Sequence, residues 1–508
     1  MRIRSIISFS LFLLISVSTS YSQGTTKNEN SEINNVNDSV QKIDIGGYSL
    51  YTKIYGKGSP TVIFECGDRS SSEGWKFVQP EIAKITRTFS YDRPGNGNSD
   101  KSPLSRTAMQ QVHELRMLLE KTKIESPYIF VASSYGALIS KLFAYMYPDK
   151  IAGIVFVDGA SEKFPEYLKE HLSFLKFQFL KFAFRSSPDG NIKELFKSAQ
   201  EIKEAAKTDG IRNIPLIVLT SDIQITVKRY EGLITINDSP LMGWHNEMAA
   251  LSNKSKHYII YGTGHLIHME NPKVVIKAIT KLLHNEYKWN ETSSESNQII
   301  SLPPEKMKQY VGRYLWDVDD VLTIKEENGH FYANMPYFPK AEIFSVSEQK
   351  VIIKDNDFTI KIVTQQEPKS DYLVISGKYV MDTIFATRID ENYHTPFENL
   401  ILGNINDAIT AYKDIHKTDP LNTAVAETRF NTMGYDFLSK EKINEAIAIF
   451  KLNTELYPQS ANAYDSLGEA YMKTGDKKNA IKNYKKSLEL NSENDNAKQM
   501  LKELEKIK

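Results

Sequence analysis

Cysteine is nearly absent: the 508-residue chain contains one, Cys66. A lone thiol cannot close an internal disulfide, and no cysteine-rich metal framework can be built from it. An excess of either charge is also missing. Lys+Arg and Asp+Glu both number 63, a formal net charge of +0, without the basic surplus of a nucleic-acid-binding surface. Past Val17 no apolar run is long enough to cross a bilayer. These absences argue against a disulfide scaffold, a cysteine metal cluster, a nucleic-acid partner and a multi-span membrane protein.

What is present is too long for one core, so several domains are expected. Met1-Arg2-Ile3-Arg4, the apolar run Ile6 to Val17 and the small residues Ser18, Thr19, Ser20 and Ser22 read as a secretory signal spanning 1–22. Cleavage after Ser22 predicts an exported protein, periplasmic or secreted, with no membrane span afterwards. Residues 23–41 are polar and almost free of aromatics, and are predicted to be a disordered leader.

The chain is organised around Tyr128 to Ala137. The β-rich run Tyr128-Ile129-Phe130-Val131 ends in Ala132-Ser133-Ser134-Tyr135-Gly136, and a helix is predicted from Ala137 to Tyr147, stopped by Pro148. A serine at the apex of so tight a strand-to-helix turn needs small neighbours, and Ala132 and Gly136 supply them. Further strands are predicted at Thr61–Glu65, Thr88–Tyr91, Gly153–Val157, Ile214–Leu219 and His257–Tyr261, with helical segments between several of them. That alternation predicts a parallel sheet covered on both faces.

Residues 42–287 resemble the α/β-hydrolase superfamily. The resemblance rests on Gly58-Ser59-Pro60, Cys66-Gly67, the turn Tyr91-Asp92-Arg93-Pro94-Gly95-x-Gly97-x-Ser99-Asp100, the elbow Ala132-x-Ser134-x-Gly136, and Gly262-Thr263-Gly264-His265 followed by Pro272. Their order and spacing together are specific. The resemblance implies Ser134 as nucleophile and His265 as base, because a serine hydroxyl needs an imidazole to take its proton. It leaves two candidates for the acid. Asp222 follows the strand Ile214–Leu219, where the superfamily most often places it, and is favoured over Asp158, which ends the preceding strand. The implied oxyanion donors are the backbone N–H groups of Tyr135 and Asp68. Many members carry His-Gly where this chain has Cys66-Gly67-Asp68, and a carboxylate on a donor residue is an unusual neighbour for an oxyanion. Cys66 reads as a small buried filler. The resemblance also places a helical lid at about 159–213, where Phe164, Tyr167, Phe174, Phe177, Phe179, Phe182 and Phe184 fall. These aromatics either pack the lid or line an apolar acyl pocket.

A polar linker is expected at 288–300, followed by short alternating strands over 301–391 with Asn328-Gly329 as a hairpin turn. This stretch resembles the small β-barrel domain that follows penicillin-binding-protein-like exported hydrolases. It is read as a structural or substrate-gripping accessory. From 392 to 508 the chain becomes helical. Gly434, Ala446, Ile447, Phe450 and Pro458 recur as Gly468, Ala480, Ile481, Tyr484 and Ser492 at an offset of 34, which is the tetratricopeptide period. A weaker copy holds Ala408, Ile409, Tyr412 and Pro420.

The predicted whole is an α/β hydrolase body with a helical lid, then a small all-β domain, then tetratricopeptide-like helices. The function expected from the resemblance is an exported serine hydrolase acting on a small-molecule or peptide acyl substrate, needing neither metal nor organic cofactor. A peptidase on the same apparatus is the neighbouring reading. A non-catalytic interaction protein with a relic hydrolase body is the rival from another class. In either case the repeats offer a small concave surface, either for a protein partner (a peptide or another copy of the chain) or for stabilising the neighbouring domain.

Overall fold

The computed structural model describes residues 38–172, 174, 177–178, 181, 184, 187–221, 240–287, 299–300, 302–334, 340–353, 358–365, 370–377, 380–492 and 494–506. The signal segment, most of the leader and Asp222 lie outside the described residues, as do Phe179 and Phe182. The chain divides into two compact units. One comprises Met1–His257, Thr263–Trp289 and Ala426–Lys508, and the other Tyr258–Gly262 and Asn290–Val425.

An eight-stranded sheet, all of it in the first unit except the last three residues of β8, is formed by β1 (Ser39–Asp44), β2 (Ser49–Tyr55), β3 (Thr61–Glu65), β4 (Thr88–Tyr91), β5 (Tyr128–Ser133), β6 (Ile151–Val157), β7 (Leu216–Ser221) and β8 (Ser255–Ile260). Their order is β1-β2-β4-β3-β5-β6-β7-β8. β1 and β2 pair antiparallel, as do β2 and β4, whereas β4-β3-β5-β6-β7 is parallel throughout. β3 and β5 are buried along their whole length, as expected of parallel strands covered on both faces. Ser39–Gln41, expected in the disordered leader, instead open β1, with Val40 paired to Lys53 and Gln41 to Thr52.

The elbow helix Gly136–Met146 is buried from Gly136 to Tyr145 and packs through Leu138, Leu142 and Phe143 into the sheet core. In the lid region, helices Phe164–His171 and Ile192–Ala205 are described. Leu168 and Ile192 form a small core with Phe164, Phe177 and Phe184 against it, so several lid aromatics pack the lid itself. Helices Glu427–Ser439, Ile443–Leu456, Ala461–Lys473 and Lys477–Leu490 form two hairpins, followed by Asp495–Lys506. The 34-residue repeat has a packing cause. A Cβ at Gly434 would meet the Phe450 ring at 2.5 Å, and one at Gly468 the Tyr484 ring at 3.0 Å.

In the second unit, eight strands from Gly312–Asp317 to Ile384–Ile389 close into an antiparallel barrel, the last pairing with the first. Helices Pro396–Ile401 and Ile405–Thr418, which the sequence assigns to the repeats, belong to this unit. The Tyr412 hydroxyl donates to Asp319 (2.7 Å), the Phe397 N–H donates to the same carboxylate (2.9 Å), and Arg313 grips Glu398. Those bonds explain why the weaker copy parts company with the later repeats.

Candidate active site

The parallel strands end on one side of the sheet, and three turns converge there. Ser134 follows β5 with φ +49°, the left-handed conformation that side-chain-bearing residues seldom adopt. The turn is held from both sides: the Ser134 N–H donates to the Val157 carbonyl (3.2 Å), and the Ser134 carbonyl accepts from Ala160 (2.9 Å) and Ala137 (3.0 Å). A Cβ at Gly136 would lie 2.6 Å from the Cys66 carbonyl oxygen and 2.8 Å from that of Glu65, so only glycine lets the elbow approach β3 this closely.

Asp158 follows β6 and is also left-handed, with φ +49°. Its N–H donates to the Leu219 carbonyl (2.8 Å), and its Oδ1 accepts the Ser221 N–H (2.8 Å). That leaves Oδ2 facing His265 Nδ1 at 2.6 Å, while His265 Nε2 lies 2.9 Å from Ser134 Oγ. A carboxylate only accepts, so Nδ1 carries the imidazole proton and the Nε2 lone pair faces the serine hydroxyl. The carboxylate that meets the histidine is that of Asp158, the second of the two sequence candidates; Asp222, the favoured one, lies outside the described residues. Burial alone would lower the basicity of His265, but the hydrogen bond and charge of Asp158, with the charge of Glu270, together outweigh this and raise its pKa above the ordinary value. Burial would raise that of Asp158, and the His265 contact lowers it below the usual carboxylate range. The Gly264 N–H donates to the Glu270 carboxylate (2.6 Å), which fixes the loop bearing His265.

His245 was not singled out in the sequence. It is fully buried, and its Nε2 donates to the Gly159 carbonyl (2.9 Å). Nδ1 accepts from Thr220 (2.8 Å) and lies 4.0 Å from Asp158 Oδ1. Burial lowers its pKa, so a neutral ring backs the carboxylate. No sequence signal marks it, because only the fold brings β7 and helix Leu241–Ala249 behind Asp158.

Of the two sequence-predicted oxyanion donors, Tyr135 is in the elbow itself and Asp68 follows a glycine that packs on it. Tyr135 opens the helix, and Gly67 packs on Ser134, with a Cβ there meeting Ser134 Cβ at 3.4 Å. The Asp68 carboxylate turns to Ser187 Oγ (3.0 Å) and Arg69 (3.6 Å). Burial, then the nearby charge of Asp189, pushes its pKa up to about 7, which moderates the electrostatic objection to an aspartate at this position. Cys66 is buried, and burial pushes its thiol pKa far up, as a filler requires. Trp75 is also buried, against Phe64 and the His268 ring, whose centroid is 4.5 Å away. Trp244 meets Phe164 and Tyr167 edge-on. Among the described residues no group of three or more potential metal-ligating side chains is assembled.

A family model for the alpha/beta hydrolase fold matches residues 60–201, and one for the tetratricopeptide repeat matches 461–494. The uncharacterised protein YqjL of Bacillus subtilis is 34% identical over 241 residues, covering 46% of this chain and 88% of YqjL. The chain belongs to the α/β-hydrolase superfamily. A haloalkane dehalogenase of Bradyrhizobium diazoefficiens is 25% identical over 114 residues, 22% of this chain and 36% of that protein. Among solved structures, a thermophilic esterase from Thermogutta terrifontis aligns over 49% of this chain and 98% of its own, with 20% identity and a TM-score of 0.35.

Proposed function

We propose that this chain is an exported serine hydrolase that cleaves acyl ester bonds through a covalent acyl-enzyme. The observation that carries the reading is the unbroken chain from Asp158 Oδ2 through the His265 ring to Ser134 Oγ, at 2.6 and 2.9 Å. In this reading Ser134 attacks the acyl carbon as His265 Nε2 takes its proton. Asp158 holds the tautomer and stabilises the imidazolium. The N–H groups of Tyr135 and Asp68 receive the oxyanion. Protonated His265 then gives its proton to the leaving alkoxide, and water repeats the sequence to free the acid.

Ser134 also bears on the dehalogenase likeness. Displacement of a halide by a serine oxygen would leave an alkyl ether on the enzyme. Water does not readily cleave an ether, whereas it does cleave the ester that acyl transfer leaves. The repeats, in this reading, hold a protein partner, and export rests on residues 1–22. Incubation of the full chain with a fluorophosphonate probe, beside a panel of p-nitrophenyl esters and aminoacyl arylamides, tests the proposal. Labelling lost in Ser134→Ala, with ester turnover, supports it. A wild type inert to both is the outcome expected of a relic body.

A further inference from the structure

Arg93 is fully buried, and all three nitrogens of its guanidinium donate hydrogen bonds. Nε donates to Asp189 Oδ1 (2.6 Å), and Nη1 donates to Glu65 Oε1 (2.8 Å) and to the Cys66 carbonyl (2.7 Å). Nη2 donates to the Gly67 carbonyl. That last bond sets a direction. In a trans peptide the C=O and N–H point to opposite sides, so a guanidinium holding the Gly67 oxygen turns the Asp68 N–H away from itself. The preceding residue, Gly67, lies against Ser134. Arg93 also lies over the Tyr135 ring, 5.3 Å from its centroid.

Asp189 comes from the lid region, between helices Phe164–His171 and Ile192–Ala205. Besides Arg93, its carboxylate accepts Asn96 Nδ2 (3.0 Å) and the Arg69 N–H (2.7 Å), one peptide beyond Asp68. Its carbonyl accepts the Tyr135 hydroxyl (3.1 Å) and Gln111 Nε2 (3.3 Å). One lid residue therefore holds the neighbour of one oxyanion donor and the side chain of the other. Buried ion pairs are poor stabilisers compared with apolar packing of the same volume, so stability alone does not account for this cluster.

We infer that Asp189, acting through Arg93 and the Tyr135 hydroxyl, is the positioning residue that aims both oxyanion donors, so that seating of the lid and assembly of the hole are one event. The inference rests on the hydrolase reading above.

The test uses the full chain with p-nitrophenyl butyrate, active-site titration with a fluorophosphonate, and an alkyl trifluoromethyl ketone, which forms a tetrahedral oxyanion on serine. In Asp189→Asn, kcat per titrated site should fall about 100-fold, close to the loss of one donor, with KM within about threefold. Affinity for the ketone should fall in parallel. Tyr135→Phe removes only a hydroxyl and should cost roughly fivefold in the same two quantities, as one lost hydrogen bond does. If Asp189→Asn does not fold, Tyr135→Phe alone decides between the two roles. A merely structural Asp189 would reduce the titratable fraction and leave per-site kcat and ketone affinity at wild-type values; that outcome overturns the inference while the hydrolase reading stands. A wild type that neither reacts with the probe nor turns over ester overturns both.

Discussion

Asp158→Asn separates the two candidate acids, and the surrounding hydrogen bonds dictate its effect. Oδ1 accepts the Ser221 N–H at 2.8 Å. An asparagine must keep its carbonyl oxygen there, because the flipped amide would set NH2 against N–H. The NH2 then faces His265 Nδ1, where the carboxylate stood at 2.6 Å. The ring can only accept from it, so its proton moves to Nε2 and points at Ser134 Oγ. The base is left in the wrong tautomer with its geometry intact, which in a Ser-His-Asp arrangement lowers kcat about 10⁴-fold, or about 5 kcal/mol of transition-state stabilisation. Asp222→Asn should stay within about threefold of wild type. The assay is ester turnover per titrated site for both variants. Asp158→Asn retaining more than a tenth of wild-type kcat, or Asp222→Asn losing as much as Asp158→Asn, would refute this reasoning.

Because Asp158 raises the pKa of His265 above its ordinary 6.5, and only the neutral ring accepts a proton, kcat/KM should fall with decreasing pH along a limb centred above 6.5. A pH–rate profile centred below that value contradicts the assignment. Gly136→Ala would place a methyl 2.6 Å from the Cys66 carbonyl oxygen. Such overpacking should cost about 1–3 kcal/mol, read as a lower thermal midpoint, with a larger loss of activity because the clash falls on the elbow. An unchanged midpoint would mean that the elbow and β3 separate freely.

The elbow was legible in the sequence because small residues at Ala132 and Gly136 frame Ser134 between a β-rich run and a helix, in order with the Gly67, Arg93 and His265 turns. The parallel sheet and the repeats were legible through periodicity. The carboxylate that meets His265 was not, since Asp158 and Asp222 each follow a parallel strand and nothing along the chain ranks the strand ends by distance to His265. β7 also runs to Ser221, two residues past its expected end, and its last N–H is what anchors Asp158. Arg93 was visible only as part of a turn motif. Its partners Glu65 and Asp189 lie 28 and 96 positions away, and only tertiary structure shows that it grips the loop bearing an expected donor. The edge strand β1 went unseen because Ser39–Asp44 carries little apolar alternation and owes its form to pairing with β2.

Ser134 and Asp158 both stand in a backbone conformation that suits glycine, at a cost on the order of 1–3 kcal/mol apiece. Glycine at either corner would ease the main chain while removing the oxygen that the corner exists to present. The most relaxed form of this fold is therefore one without its serine–histidine–aspartate line, and the native form holds a bent spring at each end of that line.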